Sequence, residues 1–189
     1  MYHIAFIGVD GCGKTTIIRL LTEYIEKVGL KVSGCNIKGE NYWYLENNFE
    51  SKDINRDILA VACALDLHKR YYECCKNKSD VVIWDRFSYC IEACNPQYVF
   101  NMVKDILKNI TTPNLIFYLE IEPEVAMQRI CNRSEGVKNH ETLEYLQRCH
   151  NEYECLSKKY NFIHIDSNRD IFEVVNEIIL ILKESSILC

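Results

Sequence analysis

The stretch Gly8-Val9-Asp10-Gly11-Cys12-Gly13-Lys14-Thr15-Thr16 follows directly on the short apolar run at 2–7. That junction limits the available folds more than any other part of the chain. Residues 8–15 satisfy G-x-x-x-x-G-K-[ST], and each position has a chemical reason. The glycines let backbone N–H groups turn inward around phosphate oxygens, and Lys14 reaches the terminal phosphates. The Thr15 hydroxyl is a Mg²⁺ ligand, and the helix behind the loop points its positive N-terminus at the anion. The motif requires a strand before it and a helix after it. Both are legible, because 15–28 sets Ile17, Ile18, Leu21 and Ile25 on one face and ends near Gly29. A nucleotide site built from Gly8, Val9, Asp10, Gly11, Cys12, Gly13, Lys14, Thr15 and Thr16 is expected, with Mg²⁺ as cofactor and ATP as phosphoryl donor.

Beyond this unit, short apolar runs at 31–36, 80–84, 114–119 and 161–165 alternate with helical patterns at 53–77, 96–109, from Pro123 onward, at 141–159 and after Asp166-Ser167-Asn168. The last pattern turns Ile171, Val174, Val175, Ile178 and Leu182 inward. Runs such as Val81-Val82-Ile83-Trp84 are continuously apolar, as suits strands covered on both faces of a parallel sheet. The alternation predicts one α/β domain over 1–189, with a five-stranded parallel sheet and helices on both faces.

Composition removes several function classes. A net charge of −5 does not supply the basic face that nucleic-acid binding by counterion release needs. The chain has 11 cysteines, an odd number with no C-x-x-C pair, which predicts reduced, structural thiols. Cys90 and Cys94, four apart, leave a metal or redox role open. The apolar run 178–182 is far short of the roughly 20 residues of a membrane span, and neither a secretory signal nor a C-a-a-X pattern is visible. The expectation is a cytoplasmic protein with no membrane contact.

Two further groups carry chemistry. Val81-Val82-Ile83-Trp84-Asp85-Arg86 ends a buried strand in a carboxylate and a guanidinium, at the sheet edge where ligands bind in open α/β folds. Asp85 there orients Mg²⁺ or an acceptor group and Arg86 clamps a phosphate, unless the two form a plain surface ion pair. Arg129 and Arg133 share a helix face, followed by the polar segment 134–139 and then by a helix carrying Arg148. This reads as a lid over about 133–141 that brings cations to the transferring phosphoryl and excludes water, or else as a solvated basic helix end.

Together these residues resemble the thymidylate kinases, a family of P-loop nucleoside-monophosphate kinases with a three-layer sandwich fold. The resemblance rests on Gly8 to Thr16, on Asp85-Arg86-Phe87, on Pro123-Glu124-Val125-Ala126 through Arg129 and Arg133, and on Leu143, Arg148 and Tyr153. It implies that Asp10 meets the acceptor's sugar hydroxyl. It likewise implies that Asp85 organises metal and phosphate, that Arg86 grips the acceptor phosphate, and that Arg129 lies on the ATP side. Cys12 leaves no arginine in the loop, so the resemblance sends the catalytic cation to Arg133, with Lys138 beside it. The catalytic set is then Lys14, Asp85, Arg86 and Arg133, with Thr15 and Asp85 toward the metal. A homodimer and a role in nucleotide biosynthesis also follow from the resemblance.

Departures from the family cluster in the acceptor pocket. Asn36-Ile37-Lys38-Gly39-Glu40 stands where Arg-Glu-Pro-Gly-Gly is usual, so Lys38 is the available substitute for the arginine. Leu67 occupies an arginine position, with Arg70 as a weak substitute. Asn41-Tyr42-Trp43-Tyr44 either stacks on a base or belongs to the core. The expected reaction is ATP-dependent phosphorylation of a dTMP-like nucleoside monophosphate. The alternatives are a deoxynucleoside kinase, a kinase of another small phosphorylated metabolite, and a non-catalytic nucleotide-binding module. A GTPase switch is disfavoured, because Asp85-Arg86-Phe87-Ser88 lacks the required glycine and Asn168-Arg169-Asp170 is mis-spaced for guanine recognition.

Overall fold

The computed structural model describes residues 1–48, 55–95, 97–134, 136–138 and 140–188. Its five strands are β1 (Tyr2–Ile7), β2 (Val32–Asn36), β3 (Val81–Asp85), β4 (Leu115–Glu120) and β5 (Ile163–Asp166). They form one sheet in the order β2-β3-β1-β4-β5, every neighbouring pair parallel. The helices among the described residues are α1 (Lys14–Lys27), α2 (Glu40–Asn48), α3 (Arg56–Lys76), α4 (Ser88–Cys94), α5 (Gln97–Leu107), α6 (Pro123–Cys131), α7 (Leu143–Tyr160) and α8 (Ile171–Glu184). α1 and α8 pack together, while α3 packs on α4 and α5, and α7 on α4 and α6. None of the described helices is long and apolar enough to cross a membrane.

The alternation of short apolar runs and helical patterns gives the expected α/β sheet, with strand ends shifted by one or two residues. Two helices escaped the sequence reading. α2 carries Asn41 to Tyr44 and has almost no apolar stripe, and α4 spans only seven residues. The expected helix starts at Asp53 and Pro96, part of the lid segment (Glu135 and Asn139) and Cys189 lie outside the described residues.

The central strands β3, β1 and β4 are buried along most of their length, which explains why runs such as 81–84 and 115–119 are continuously apolar. Phe6 and Phe117 stack at 5.2 Å between ring centres in adjacent strands. Trp84 is fully buried, so its indole N–H needs an acceptor, and it finds His3 Nδ1 at 3.1 Å. Burial also lowers the His3 pKa, which keeps the ring neutral and its Nδ1 available as that acceptor. Register then sets the site. Asn36 and Phe6 both pair with Asp85, so three strands end level at one edge of the sheet.

α6 reaches this edge because one glycine leaves room for it. Gly11 has φ +84, and a Cβ there would lie 2.5 Å from the Ala126 carbonyl oxygen of α6. Gly11→Ala adds left-handed strain and a backbone collision, together roughly 2–4 kcal/mol. The expected result is a lower urea midpoint with an unchanged slope; an unchanged midpoint contradicts this packing.

Candidate active site

The loop after β1 wraps its own lysine. Lys14 is buried at the start of α1, and its Nζ donates to Gly8 O at 3.0 Å, Val9 O at 2.7 Å and Cys12 Sγ at 3.2 Å. Gly13 supplies the left-handed turn, φ 92, that launches the helix. Thr15 and Thr16 occupy its first turn. Helix start and ammonium therefore converge on the mouth of the loop, an arrangement suited to a polyphosphate.

Asp85, at the end of β3, faces that mouth. Its Oδ2 accepts from the Thr15 hydroxyl at 3.4 Å and from Asn36 Nδ2 at 3.2 Å, while its Oδ1 is buried without a hydrogen-bond partner. A hydroxyl beside a buried carboxylate oxygen that lacks a donor is the hard-oxygen set that Mg²⁺ selects. The two residues assigned to the metal thus fit it.

The next residue turns sharply. Arg86 has φ 73, a left-handed conformation that costs a non-glycine residue roughly 1–2 kcal/mol. Its N–H is fixed to Phe6 O at 3.0 Å. The turn swings the guanidinium across β1 to pair with the Asp10 carboxylate. Both side chains are largely buried, so the pair is only weakly screened. Burial alone would raise the Asp10 pKa; Arg86, then Lys14, Lys38 and His140, outweigh it and hold the carboxyl well below the usual carboxylate range. The same carboxylate helps lift the Arg86 pKa despite burial.

Lys38 completes this corner. Burial and the nearby Arg86 lower its pKa, partly offset by Asp10. Its ammonium stands 4.7 Å from the Tyr42 ring centre. Lys138, from the lid, lies 5.6 Å over the Trp43 ring. Tyr42 belongs to the core, whereas Trp43 is exposed.

Three arginines singled out from the sequence make contacts with the protein itself. Arg133 pairs with the Glu141 carboxylate and donates through Nε to Gly136 O at 2.8 Å; Glu141, itself buried, also accepts from Lys138 N at 2.7 Å. Arg133 and Glu141 thus link the end of α6 to the residues just before α7. Arg70 donates to Asn36 O at 2.8 Å and lines a groove of about 320 Å³ beside β2 with Cys35, Glu40 and Cys74. Arg129 donates to Ser167 O at 2.9 Å, bridging α6 to the loop after β5.

The sequence reading missed Asp66. This carboxylate is buried in α3 and accepts from Gly39 N at 2.9 Å, Asn41 N at 3.2 Å, Asn41 Nδ2 at 2.7 Å and Tyr42 N at 3.0 Å. It caps α2 from another helix, and a Cβ on Gly39 would sit 2.6 Å from its Cγ. The available signal was a lone acid inside the apolar run Ala62-Cys63-Ala64-Leu65-Asp66-Leu67. Leu67 is fully buried, so it contributes packing and no cation. The Cys90–Cys94 spacing also misleads. Cys94 Sγ lies 3.5 Å from Cys149 Sγ across the α4–α7 contact, and all described cysteines are free thiols.

The comparisons with known proteins agree with this geometry. The family model described as thymidylate kinase matches residues 6–178. The chain is 28% identical to the thymidylate kinase of Fervidobacterium nodosum over 193 aligned positions, covering 95% of this chain and 98% of that protein. It is 27% identical to the thymidylate kinase of Brachyspira hyodysenteriae, covering 98% and 95% respectively. Among solved structures, a deoxyadenosine kinase from M. mycoides, determined with the products dCMP and a flexible dCDP bound, superposes with a TM-score of 0.71 at 20% identity, covering 96% of this chain and 99% of that one. This last likeness is one of fold. The chain belongs to the thymidylate kinase family.

Asp10→Asn leaves Arg86 buried without its counter-charge, at an expected cost of about 3 kcal/mol. The pair's contribution is complete above the unfolded carboxyl value of 3.8 and fades as pH falls below it, because the folded pKa is depressed. The stability gap between wild type and variant in urea titrations is therefore constant from pH 7 to pH 5 and narrows in more acidic buffer. A gap that widens on acidification contradicts the pairing.

Proposed function

We propose that this protein transfers the γ-phosphoryl group of Mg·ATP to the phosphate of a dTMP-like nucleoside monophosphate. The observation that carries this reading is the corner formed by Asp10, Arg86 and Lys38, level with the phosphate loop and next to it. A nucleoside monophosphate brings a sugar hydroxyl and a dianionic phosphate. The held Asp10 carboxylate, the Arg86 guanidinium and the partly buried Lys38 ammonium match those groups, whereas a nucleoside brings no phosphate for the two cations.

The donor lies on residues 8–16, its phosphates held by loop N–H groups and by Lys14, with Arg129 on the ATP side. Thr15 and Asp85 would hold Mg²⁺, which would supply charge neutralisation at the phosphate oxygens. Arg86 and Lys38 fix the acceptor phosphate for in-line attack, and Asp10 accepts from the sugar hydroxyl. Arg70 acts through the Asn36 carbonyl and so holds the Lys38 loop in place. Lid closure brings Lys138 and Arg133 to the transferring group and excludes water, with Glu141 holding the lid's shape. Catalysis is positioning and charge neutralisation, with no covalent intermediate on the protein.

The setting is cytoplasmic and the assembly a homodimer. Ile58, Leu65 and Tyr72 lie seven apart along α3, all exposed, beside exposed Tyr98 and Met102 of α5. Such a stripe favours burial against a second copy.

The test is ADP release from Mg·ATP against a panel of nucleoside monophosphates and nucleosides. dTMP or a close analogue is expected to stimulate release, and Arg86→Ala to raise the acceptor KM at least tenfold with ATP binding little changed. Lys14→Ala should lower turnover by roughly 10²-fold or more without shifting the melting temperature. Stimulation by nucleosides alone overturns the reading.

A further inference from the structure

Asn36 closes β2, and both ends of its amide are in use. Nδ2 donates to Asp85 Oδ2 at 3.2 Å, and Oδ1 accepts from Lys38 N at 2.8 Å. This orientation is the only one chemistry permits, since a backbone N–H only donates and a carboxylate oxygen only accepts. The residue's own carbonyl accepts from Arg70 of α3 at 2.8 Å. One side chain therefore touches the carboxylate that faces the phosphate loop and the turn that carries Lys38.

Each contact has a consequence. The two oxygens of Asp85 are not equivalent. Oδ2 takes both described donors, Asn36 and Thr15, and Oδ1 is left buried without a described hydrogen-bond partner. Without the Asn36 donor the carboxylate loses one of the two contacts that distinguish its oxygens, and with it the fixed presentation of Oδ1. On the other side, the Asn36–Lys38 bond closes an Asx-type turn that aims Lys38 at the corner shared with Asp10 and Arg86. The chain just beyond is already pinned, because Gly39, Asn41 and Tyr42 all donate to buried Asp66. The Lys38 turn, held at both ends, therefore has little freedom to move independently of the amide on Asp85.

We propose that Asn36 is a positioning residue joining the two halves of the site: it holds Asp85 with one oxygen presented to the metal, and it holds Lys38 toward the acceptor phosphate, so that affinity for Mg·nucleotide and affinity for acceptor rise and fall together. The acceptor half of this statement rests on the function proposed above; the metal half rests on the Asp85 contacts alone. Coupling of this kind is reciprocal: bound acceptor tightens the nucleotide by the same factor that bound nucleotide tightens the acceptor.

Calorimetric titration decides it, with a non-hydrolysable ATP analogue over a series of Mg²⁺ concentrations, with and without dTMP. The proteins are wild type, Asn36→Ala, the near-isosteric Asn36→Leu, and Lys38→Ala. In wild type, dTMP is expected to tighten the analogue by roughly fivefold or more. Both Asn36 variants are expected to need roughly tenfold more Mg²⁺ for half-maximal analogue binding, to bind dTMP more weakly, and to lose the coupling. Lys38→Ala is expected to weaken dTMP while keeping the wild-type Mg²⁺ requirement. Melting curves establish that each variant is folded, and two different replacements keep the test open if one of them is not. Folded Asn36 variants with the wild-type Mg²⁺ requirement, or a wild type in which dTMP leaves analogue affinity unchanged, overturn the proposal. If wild type binds no dTMP at all, the acceptor assignment fails, and the Mg²⁺ series still decides whether Asn36 positions Asp85.

Discussion

A buried ion pair between Asp10 and Arg86 is the constraint on which the site depends. It joins the phosphate loop after β1 to the turn after β3, so two adjacent strand ends are cross-linked by charge. Burying both partners is expensive, and the geometry required is strained, since Arg86 takes a left-handed backbone to reach Asp10. Strain of this kind survives only where the surroundings over-determine it, and here the Phe6 carbonyl and the β1–β3 register do so. The pair keeps a carboxylate ionised and a guanidinium in place, the preorganisation that the proposed transfer relies on.

A second buried carboxylate does comparable work from further away. Asp66 lies inside α3 and satisfies the first N–H groups of α2, so a helix with little amphipathic character still has a fixed start. Gly39 is needed because the carboxylate packs against its backbone. Thus α3 sets the position of α2, and α2 and the turn before it set Lys38 and Tyr42. Asp10 and Arg86 stand at strand ends of the sheet, whereas the turn carrying Lys38 depends on α2 and α3. Lys138, from the segment after α6, rests on Trp43 of α2.

The phosphate-loop geometry was legible in the sequence because its chemistry is local. Gly8 to Thr16 sit next to one another, and the apolar runs on either side announce their strand and helix by periodicity. Asp85 and Arg86 could be located because a fully buried strand must end at the ligand edge of a parallel sheet. The surroundings of Lys38 and Asp85 were less legible because their contacts are long-range. The Asp66–Gly39 bond spans 27 residues and the Asn36–Asp85 bond 49. Lone polar residues such as Asn36 and Asp66 carry no pattern of their own. Arg70 was picked for its charge, yet its described bond goes to a backbone carbonyl. Cys94 was matched to its neighbour in sequence, whereas its neighbour in space is Cys149 of α7. α2 itself went unseen because its stability comes from a cap on another helix, which no window of local sequence contains.

The central claim is that the Asp10–Arg86–Lys38 corner selects an acceptor already carrying a phosphate. The most direct measurement is internal competition: Mg·ATP with equal amounts of dTMP and thymidine, followed by ³¹P NMR and chromatography of the nucleosides. The account requires a new nucleoside diphosphate to form alongside ADP while thymidine is left unconsumed. Loss of thymidine with growth of a phosphate monoester, and no new diphosphate, would contradict it.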